Sequence, residues 1–424
     1  MNRIVILTYT FPPSPAIGGR RWAKFAKYLD RAGHDVFVLA SDLDKDESSP
    51  WSEDIEVLIS KSKVEYLKNG YPEVLNSYPE KLYDKLKYRM ALSMVKKKVK
   101  GNYYDRSSFW QKELFTRLKE KLDEGYDTVI ATGAPFQYLY YLTETISRYP
   151  KVKFIADIRD PWANNKTAYG FESLSEKRQI EVLDFEEKVM NRFDHVVTVY
   201  DATTKYFAGV SQKKAKFHTI PNGYDQEDFD NLDLPLKTKS EKINFVLTGS
   251  LYNHALNVFT SFIESLKELK NKHPKVFGSL EFNFFGRTNR LYDSYFHDED
   301  LKDTLFHHGM IPIDQVFLNI QKADVCLLFL TDDMNYSKST KFFEYMAQRR
   351  KIAVFSTLGE TGKEVSQKNI GYSMNPGEMV KQFIQIYEDH QNDNLKISED
   401  FDQTVYEVKG ILKDYLKIIE SEKE

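Results

Sequence analysis

The sequence predicts an α/β protein made of two doubly wound parallel sheets, and three observations carry that prediction. A strand runs into a glycine turn and then a helix twice, at residues 3–29 and again at 243–270. Short apolar runs alternate with helical periodicity throughout the chain. The 424 residues suit two cores better than one, since a domain usually holds roughly 100 to 200 residues.

RIVILT reads as the first strand, Gly18-Gly19 punctuates the loop after it, and Trp22, Phe25, Ala26 and Leu29 fall on one helix face. Gly33 stops that helix and DVFVL resumes the sheet. TVIA (128–131), KFIAD (153–157), HVVTV (195–199) and FHTI (217–220) continue it. Pro221-Asn222-Gly223 is a turn signal, and the polar stretch 226–242 reads as a linker. INFVL, Thr248-Gly249-Ser250 and a helix with Leu256, Phe259, Phe262, Ile263 and Leu266 on one face then repeat the opening unit. FVLTG, LEFNFFG, LFHHG, VCLLFL, IAVFS and IGYSM are the strands of this half. VYEVKGILKDYLKIIE is a terminal amphipathic helix. The expected division is a first domain at 1–225 with a basic insertion near 70–112, a second at 240–400, and a helix at 401–424 packing back toward the first.

Composition narrows the function. With 41% apolar and 29% charged residues the chain is globular, and it has no uncharged apolar run of about 18 residues to cross a bilayer. MNRIVILTYTF enters the first strand after one basic residue, which argues against a signal peptide. The lone cysteine, Cys326 in VCLLFL, reads as a small buried hydrophobe, excludes an intrachain disulfide or a Cys-based zinc site, and fits a cytoplasmic location. A net charge of -3 gives no general attraction to nucleic acid. Residues 81–100, however, carry eight bases against Asp84, interleaved with Leu82, Leu86, Tyr88, Met90, Leu92, Met94 and Val95. That mixture suits either peripheral association with an anionic membrane or a solvated helix with a basic outer face.

Ligands of open parallel sheets sit beyond the carboxyl ends of the strands, so the chemistry is expected in the loops there. In KSTKFFEYMA, Ser339 or Thr340 can cap a helix whose free N–H groups and Lys341 would hold a diphosphate. Glu344 lies one turn on, where its carboxylate could accept the hydroxyls of a ribose, while Phe342, Phe343 and Met346 divide between core and cleft. Arg287 follows LEFNFFG and could clamp phosphate oxygens. Asp157, Arg159, Asp160 and Trp162 cluster at a strand end, reading either as chemistry or as an internal Asp–Arg pair that fixes the loop. Asp332-Asp333 has no further ligand cluster beside it, so no metal is expected. The chain lacks G-x-G-x-x-G at Gly18-Gly19, G-x-x-x-x-G-K-[ST], G-x-S-x-G and H-E-x-x-H, which argues against nicotinamide or flavin cofactors, P-loop nucleotide hydrolysis, α/β-hydrolase chemistry and zinc proteolysis.

These segments together resemble the GT-B fold glycosyltransferases of the retaining glycosyltransferase family 4 type. FPPSPAIGGRRWAKFAKYLDRAGHDVFVLA is similar to that family's opening, IADIRDPW to the D-x-R-D-P-W segment of its polysaccharide-synthesis members, and Asp105 with Trp110 in DRSSFW to a further feature of theirs. IPNGYDQEDF resembles the end of the family's first domain, and KSTKFFEYMAQRRKIAVFS its donor-site helix. Glu344 matches the second glutamate of an E-x7-E arrangement, whereas Tyr336 stands in place of the first. GSLYNHALN lacks the family's usual basic pair, leaving Arg287 and Lys341 as diphosphate partners, and AQRRKIAV lacks its glycine and proline.

The resemblance implies two domains facing a cleft that closes on the donor, with an acceptor-binding first domain and a nucleotide-sugar-binding second. It implies sugar transfer with retention from a nucleotide diphosphate sugar to a saccharide or lipid-linked saccharide, without cofactor or metal, at the cytoplasmic face of a membrane in cell-surface polysaccharide synthesis. Asp157, Arg159, Asp160, Arg287 and Lys341 would be catalytic. Gly18, Gly19, Gly249, Ser250, Arg287, Ser339, Thr340, Lys341 and Glu344 would bind the donor. A catalytically degenerate scaffold and a sugar-nucleotide epimerase of the same fold are the alternatives.

Overall fold

A computed structural model describes residues 1–422 except 77, 164–169, 213–215, 231–239, 252, 331–335 and 358. The Asp332-Asp333 pair and most of the expected linker lie outside the described residues. The chain divides into two units, Met1–Pro221 with Ile411–Glu424, and Asn222–Gly410.

The first unit holds a seven-stranded parallel sheet in the order β3-β2-β1-β4-β5-β6-β7. Its strands are β1 (Arg3–Thr8), β2 (Asp35–Ser41), β3 (Val64–Leu67), β4 (Thr128–Gly133), β5 (Lys153–Ile158), β6 (His195–Thr198) and β7 (Phe217–Thr219). Central β1 pairs on both sides, Ile4 lying opposite Val36 and Thr128. Helices cover both faces of such a sheet, which is why its strands are continuous apolar runs rather than alternating ones. In the helix Arg20–Arg31, Trp22, Phe25, Ala26 and Leu29 are all buried, and the helix ends before Gly33 at φ +86°. The edge strand β3 was not expected. VEYL is only four residues long, and Glu65 points to Arg117 at 2.8 Å rather than into the core.

The second unit has a six-stranded parallel sheet, β10-β9-β8-β11-β12-β13. Its strands are β8 (Ile243–Thr248), β9 (Leu280–Phe285), β10 (Leu305–Gly309), β11 (Val325–Phe329), β12 (Lys351–Phe355) and β13 (Gly371–Met374). Phe245, Phe259, Phe262, Phe282, Phe355 and Phe383 form an aromatic core over one face of this sheet. Cys326 is a free, buried thiol in the cluster on the other face.

The end of the chain differs from the single expected helix. Gln403–Tyr406 is a 3-10 turn capped by Asp402, and the α-helix is Val408–Glu420. Residues up to Gly410 stay with the second unit, where Tyr224 pairs with Glu407. The remainder joins the first unit: Tyr415 is fully buried against Trp22 and Phe25, and Lys153 Nζ donates to the carbonyls of Ile418 and Ile419, both at 2.9 Å. A lysine in this position satisfies carbonyls that a helix C-terminus leaves without partners. No helix among the described residues is long and apolar enough to cross a membrane.

Candidate functional site

In each sheet the chain reverses direction of build beside the first strand, between β1 and β4 and between β8 and β11. Crevices for ligands open at such switch points, beyond the carboxyl ends of the strands. In the second unit a cavity of about 200 Å³ lies there, with Leu247, Ser250, Leu251, Leu328, Ser339 and Lys341 in its lining.

The helix Thr340–Ala347 aims its N-terminus at this cavity. Ser339 occupies the N-cap position with extended backbone (φ -69°, ψ 170°), yet its hydroxyl makes no capping hydrogen bond. Its Oγ is buried and has no hydrogen-bond partner among the described residues. A buried hydroxyl left in this way costs free energy until something bonds to it. Lys341, in the first turn, donates from Nζ to the Ser250 carbonyl at 3.2 Å. Burial pushes its ammonium down to about 8, with Glu344 partly opposing the shift. The lysine crosses directly over Gly249, where a Cβ would stand 2.5 Å from Cε and where φ is +90°. The positive φ favours glycine there, and a side chain would also displace the lysine.

Glu344 is half-buried one turn further along, while Phe342, Phe343 and Met346 are all fully in the core. The expected division of those three between core and cleft does not hold, because Tyr406 and the β12 side of the sheet cover this helix face. Thr340 is half-buried at the first helical position. Arg287 is exposed just past β9, and its carbonyl accepts the Leu251 N–H at 3.0 Å, which ties the two loops together.

Three supporting residues of this site were not foreseen. Tyr345 is fully buried and its hydroxyl meets the Thr248 N–H at 3.1 Å, fastening the helix to the end of β8. Thr361 Oγ1 donates to the Ser337 carbonyl at 3.2 Å. Glu364 holds Lys338 at 2.7 Å and also takes Lys368 and the Tyr406 hydroxyl. Burial alone would raise the Glu364 carboxyl, but Lys338, Lys368 and Tyr406 outweigh it and bring the group down to about 2. Such partners come from distant stretches of chain, and no local spacing signals them.

In the first unit the expected cluster separates into distinct roles. Asp157 is 1% exposed and accepts Arg21 Nε and Nη2 at 3.3 and 3.2 Å and Trp22 Nε1 at 3.3 Å. Arg21 also donates to the carbonyls of Ile220 and Pro221. Asp157 is thus held in an internal ion pair, with Arg21 rather than Arg159 as its partner. Arg159 reaches the glycine loop, Nη1 donating to the Gly18 carbonyl at 2.5 Å, while its buried Nε has no partner among the described residues. A Cβ on Gly18 would stand 2.7 Å from Thr10 Oγ1, and Gly19 leads directly into the helix at Arg20. Asp160 is half-buried at the head of the following loop.

Trp162 stacks on Phe136 with ring centres 5.2 Å apart, and the Ala163 N–H donates to Glu186 at 2.7 Å. Glu186 is fully buried; burial raises its carboxyl, opposed by Ala163 and by the Tyr206 hydroxyl. Asp105, also buried, accepts the N–H groups of Phe136 and Gln137 at 2.8 and 3.0 Å, so it holds the start of the helix after β4.

The overall fold occurs in solved structures. TarM superposes with a TM-score of 0.60 at 13% identity, over 99% of each chain. The chain has the GT-B fold. A glycosyltransferase from Rickettsia africae matches this GT-B chain at a TM-score of 0.59 and 13% identity, over 99% of this chain and 98% of the other. The Anabaena HepE protein, crystallised with UDP-glucose, matches at 0.56 and 13%, over 98% and 99%. No family model and no curated protein matches the sequence. At such identities the likeness establishes the GT-B architecture, and chemistry must be argued from the site.

Proposed function

We propose that this GT-B protein is a retaining glycosyltransferase of the family 4 type, which moves a sugar from a nucleoside diphosphate sugar to a hydroxyl of a saccharide or lipid-linked saccharide in cell-surface polysaccharide synthesis. The observation that carries the reading is the convergence on one cavity of a helix N-terminus, the buried Ser339 hydroxyl, which has no partner among the described residues, and the Lys341 ammonium. This combination fits a diphosphate, whose negative charge grows as it leaves the sugar. Arg287 would meet the same oxygens from the β9 side, and Glu344 would take the ribose hydroxyls. Gly249, Ser250 and Thr340 would offer backbone and hydroxyl contacts to the phosphates. These cationic and dipolar groups neutralise the leaving group by themselves, so the proposed reaction uses no metal. In the first unit, the Gly18-Gly19 loop with Arg159 and Asp160 would face the acceptor, and Asp157 would act by holding Arg21 and the strand end in place. The HepE complex with UDP-glucose favours a uridine donor.

Thermal shift against UDP-, GDP-, CDP- and dTDP-sugars and the free nucleotides, without added metal, tests the reading. A ligand at 100 times its Kd adds ~2.7 kcal/mol of stability. One base family should raise Tm by several degrees, and Glu344→Ala should remove the rise. Incubating the hit with saccharide acceptors and reading the anomeric configuration of the product by NMR then checks retention. Conversion of the donor sugar without acceptor would instead identify an epimerase, and no shift from a cooperatively folded protein would identify a scaffold.

A further inference from the structure

The helix Leu82–Lys98 of the first unit turns an apolar stripe away from the protein. At about 3.6 residues per turn, Leu82, Leu86 and Met90 share one line, with Tyr83 and Met94 beside it. They are exposed by 85% at Leu82, 57% at Leu86 and 66% at Met90. The opposite side of the helix does the packing: Val95 is buried, and Tyr88, Ala91 and Leu92 lie against the first unit's core. The outward stripe is therefore not a misplaced core face, since the helix already has one.

Bases border the stripe on both sides. Lys85, Arg89 and Lys96 run along one edge and Lys87 and Lys98 along the other, while Lys97 continues the line of the stripe itself. Asp84 is the helix's only acid. Exposed large apolar side chains framed by long basic ones match the two layers of a lipid surface, hydrocarbon below and anionic headgroups around it. A nucleic acid would meet the bases but leave Leu82, Leu86 and Met90 in water. A solvated helix with a basic outer face needs no row of Leu82, Leu86 and Met90 along that line, which turns polar only at Ser93 and Lys97.

We propose that the outward face of Leu82–Lys98 is a docking surface for an anionic bilayer, which seats the first unit on a membrane. This rests on the helix alone and stands apart from the transferase reading. The test is co-sedimentation of the full chain with vesicles of phosphatidylcholine, with and without phosphatidylglycerol. The chain should partition to the anionic vesicles, release with added salt, and leave neutral vesicles unbound. Replacing Lys96, Lys97 and Lys98 by Gln should weaken partitioning about a hundredfold, at roughly fivefold per base. Leu86→Ser with Met90→Ser should weaken it by more than tenfold, through lost apolar burial. Because these side chains are exposed, both variants should keep the native circular dichroism and Tm. Equal sedimentation of native chain and variants overturns the proposal. So does a dimer that Leu86→Ser disperses without any vesicle binding, since a second copy would then be the occupant.

Discussion

Lys341 illustrates how one environment serves two ends. Desolvation that lowers its ammonium to about 8 would also leave little water to screen the proposed diphosphate beside it. The charge is present below about pH 8 and lost above it. UDP affinity, measured by titration calorimetry between pH 7 and 10, should therefore fall as pH rises through that value, and in Lys341→Ala should be weaker and flat. The effect on the free protein has the opposite sign. The unfolded lysine keeps its proton to 10.5, so between about 8 and 10.5 the unfolded state binds more protons and stability rises with pH. Losing this donor to the leaving group should cost ~3 kcal/mol of barrier, or about a hundredfold in kcat; an unchanged kcat in Lys341→Ala would remove the lysine from the mechanism. Single residues were also where sequence reasoning was least complete. Asp157 lies within β5 and Arg159 beyond its end, so strand alternation does not fix the second side chain relative to the first. Arg21, 136 residues away, took the carboxylate.

Elements place the residues. The helix Thr340–Ala347 has only eight residues and little stability of its own, so its aim depends on what it packs against. Tyr345 supplies part of that by bonding Thr248 at the end of β8. Tyr345→Phe leaves the Thr248 N–H buried without that oxygen, and stability should drop by ~1–3 kcal/mol in urea denaturation. Nucleotide affinity should weaken as well, because the same bond sets the helix against the glycine turn; a variant that loses stability but binds as tightly would limit Tyr345 to a structural role. Element type was legible from local pattern: the twelve expected strands are present, because buried parallel strands are unbroken apolar runs. β3 was not, since VEYL is short, carries Glu65 and becomes a strand only by lying against β2.

At the scale of the whole chain, the final helix crosses from one unit's sequence to the other's core. Residues up to Gly410 belong to the second unit, and Ile411–Glu424 to the first. Tyr415 completes an aromatic group with Trp22 and Phe25, and Lys153 caps the helix end. Truncation after Gly410 should therefore destabilise the first unit and spare the second. Hydrogen exchange should show lost protection in β1, β5 and the helix Arg20–Arg31, with β8 and β11 unchanged; loss in the second unit instead would contradict this division.

The sequence by itself determined the kind of protein this is. Apolar runs, glycine turns and helical periodicity are local signals, and they specify two parallel-sheet units and the strand-end loops where a ligand can bind. The loop KSTKFFEYMA, with Gly249 and Ser250, was legible as a candidate site for the same reason: cap, charge and helix start lie within a few residues. Tertiary structure alone decided which charges were available for chemistry. It buried Asp157 against Arg21, left the Ser339 hydroxyl without a partner among the described residues, depressed Lys341 and turned Leu86 and Met90 outward. Partner and solvent exposure depend on segments far apart in the chain, and no spacing within a motif encodes them.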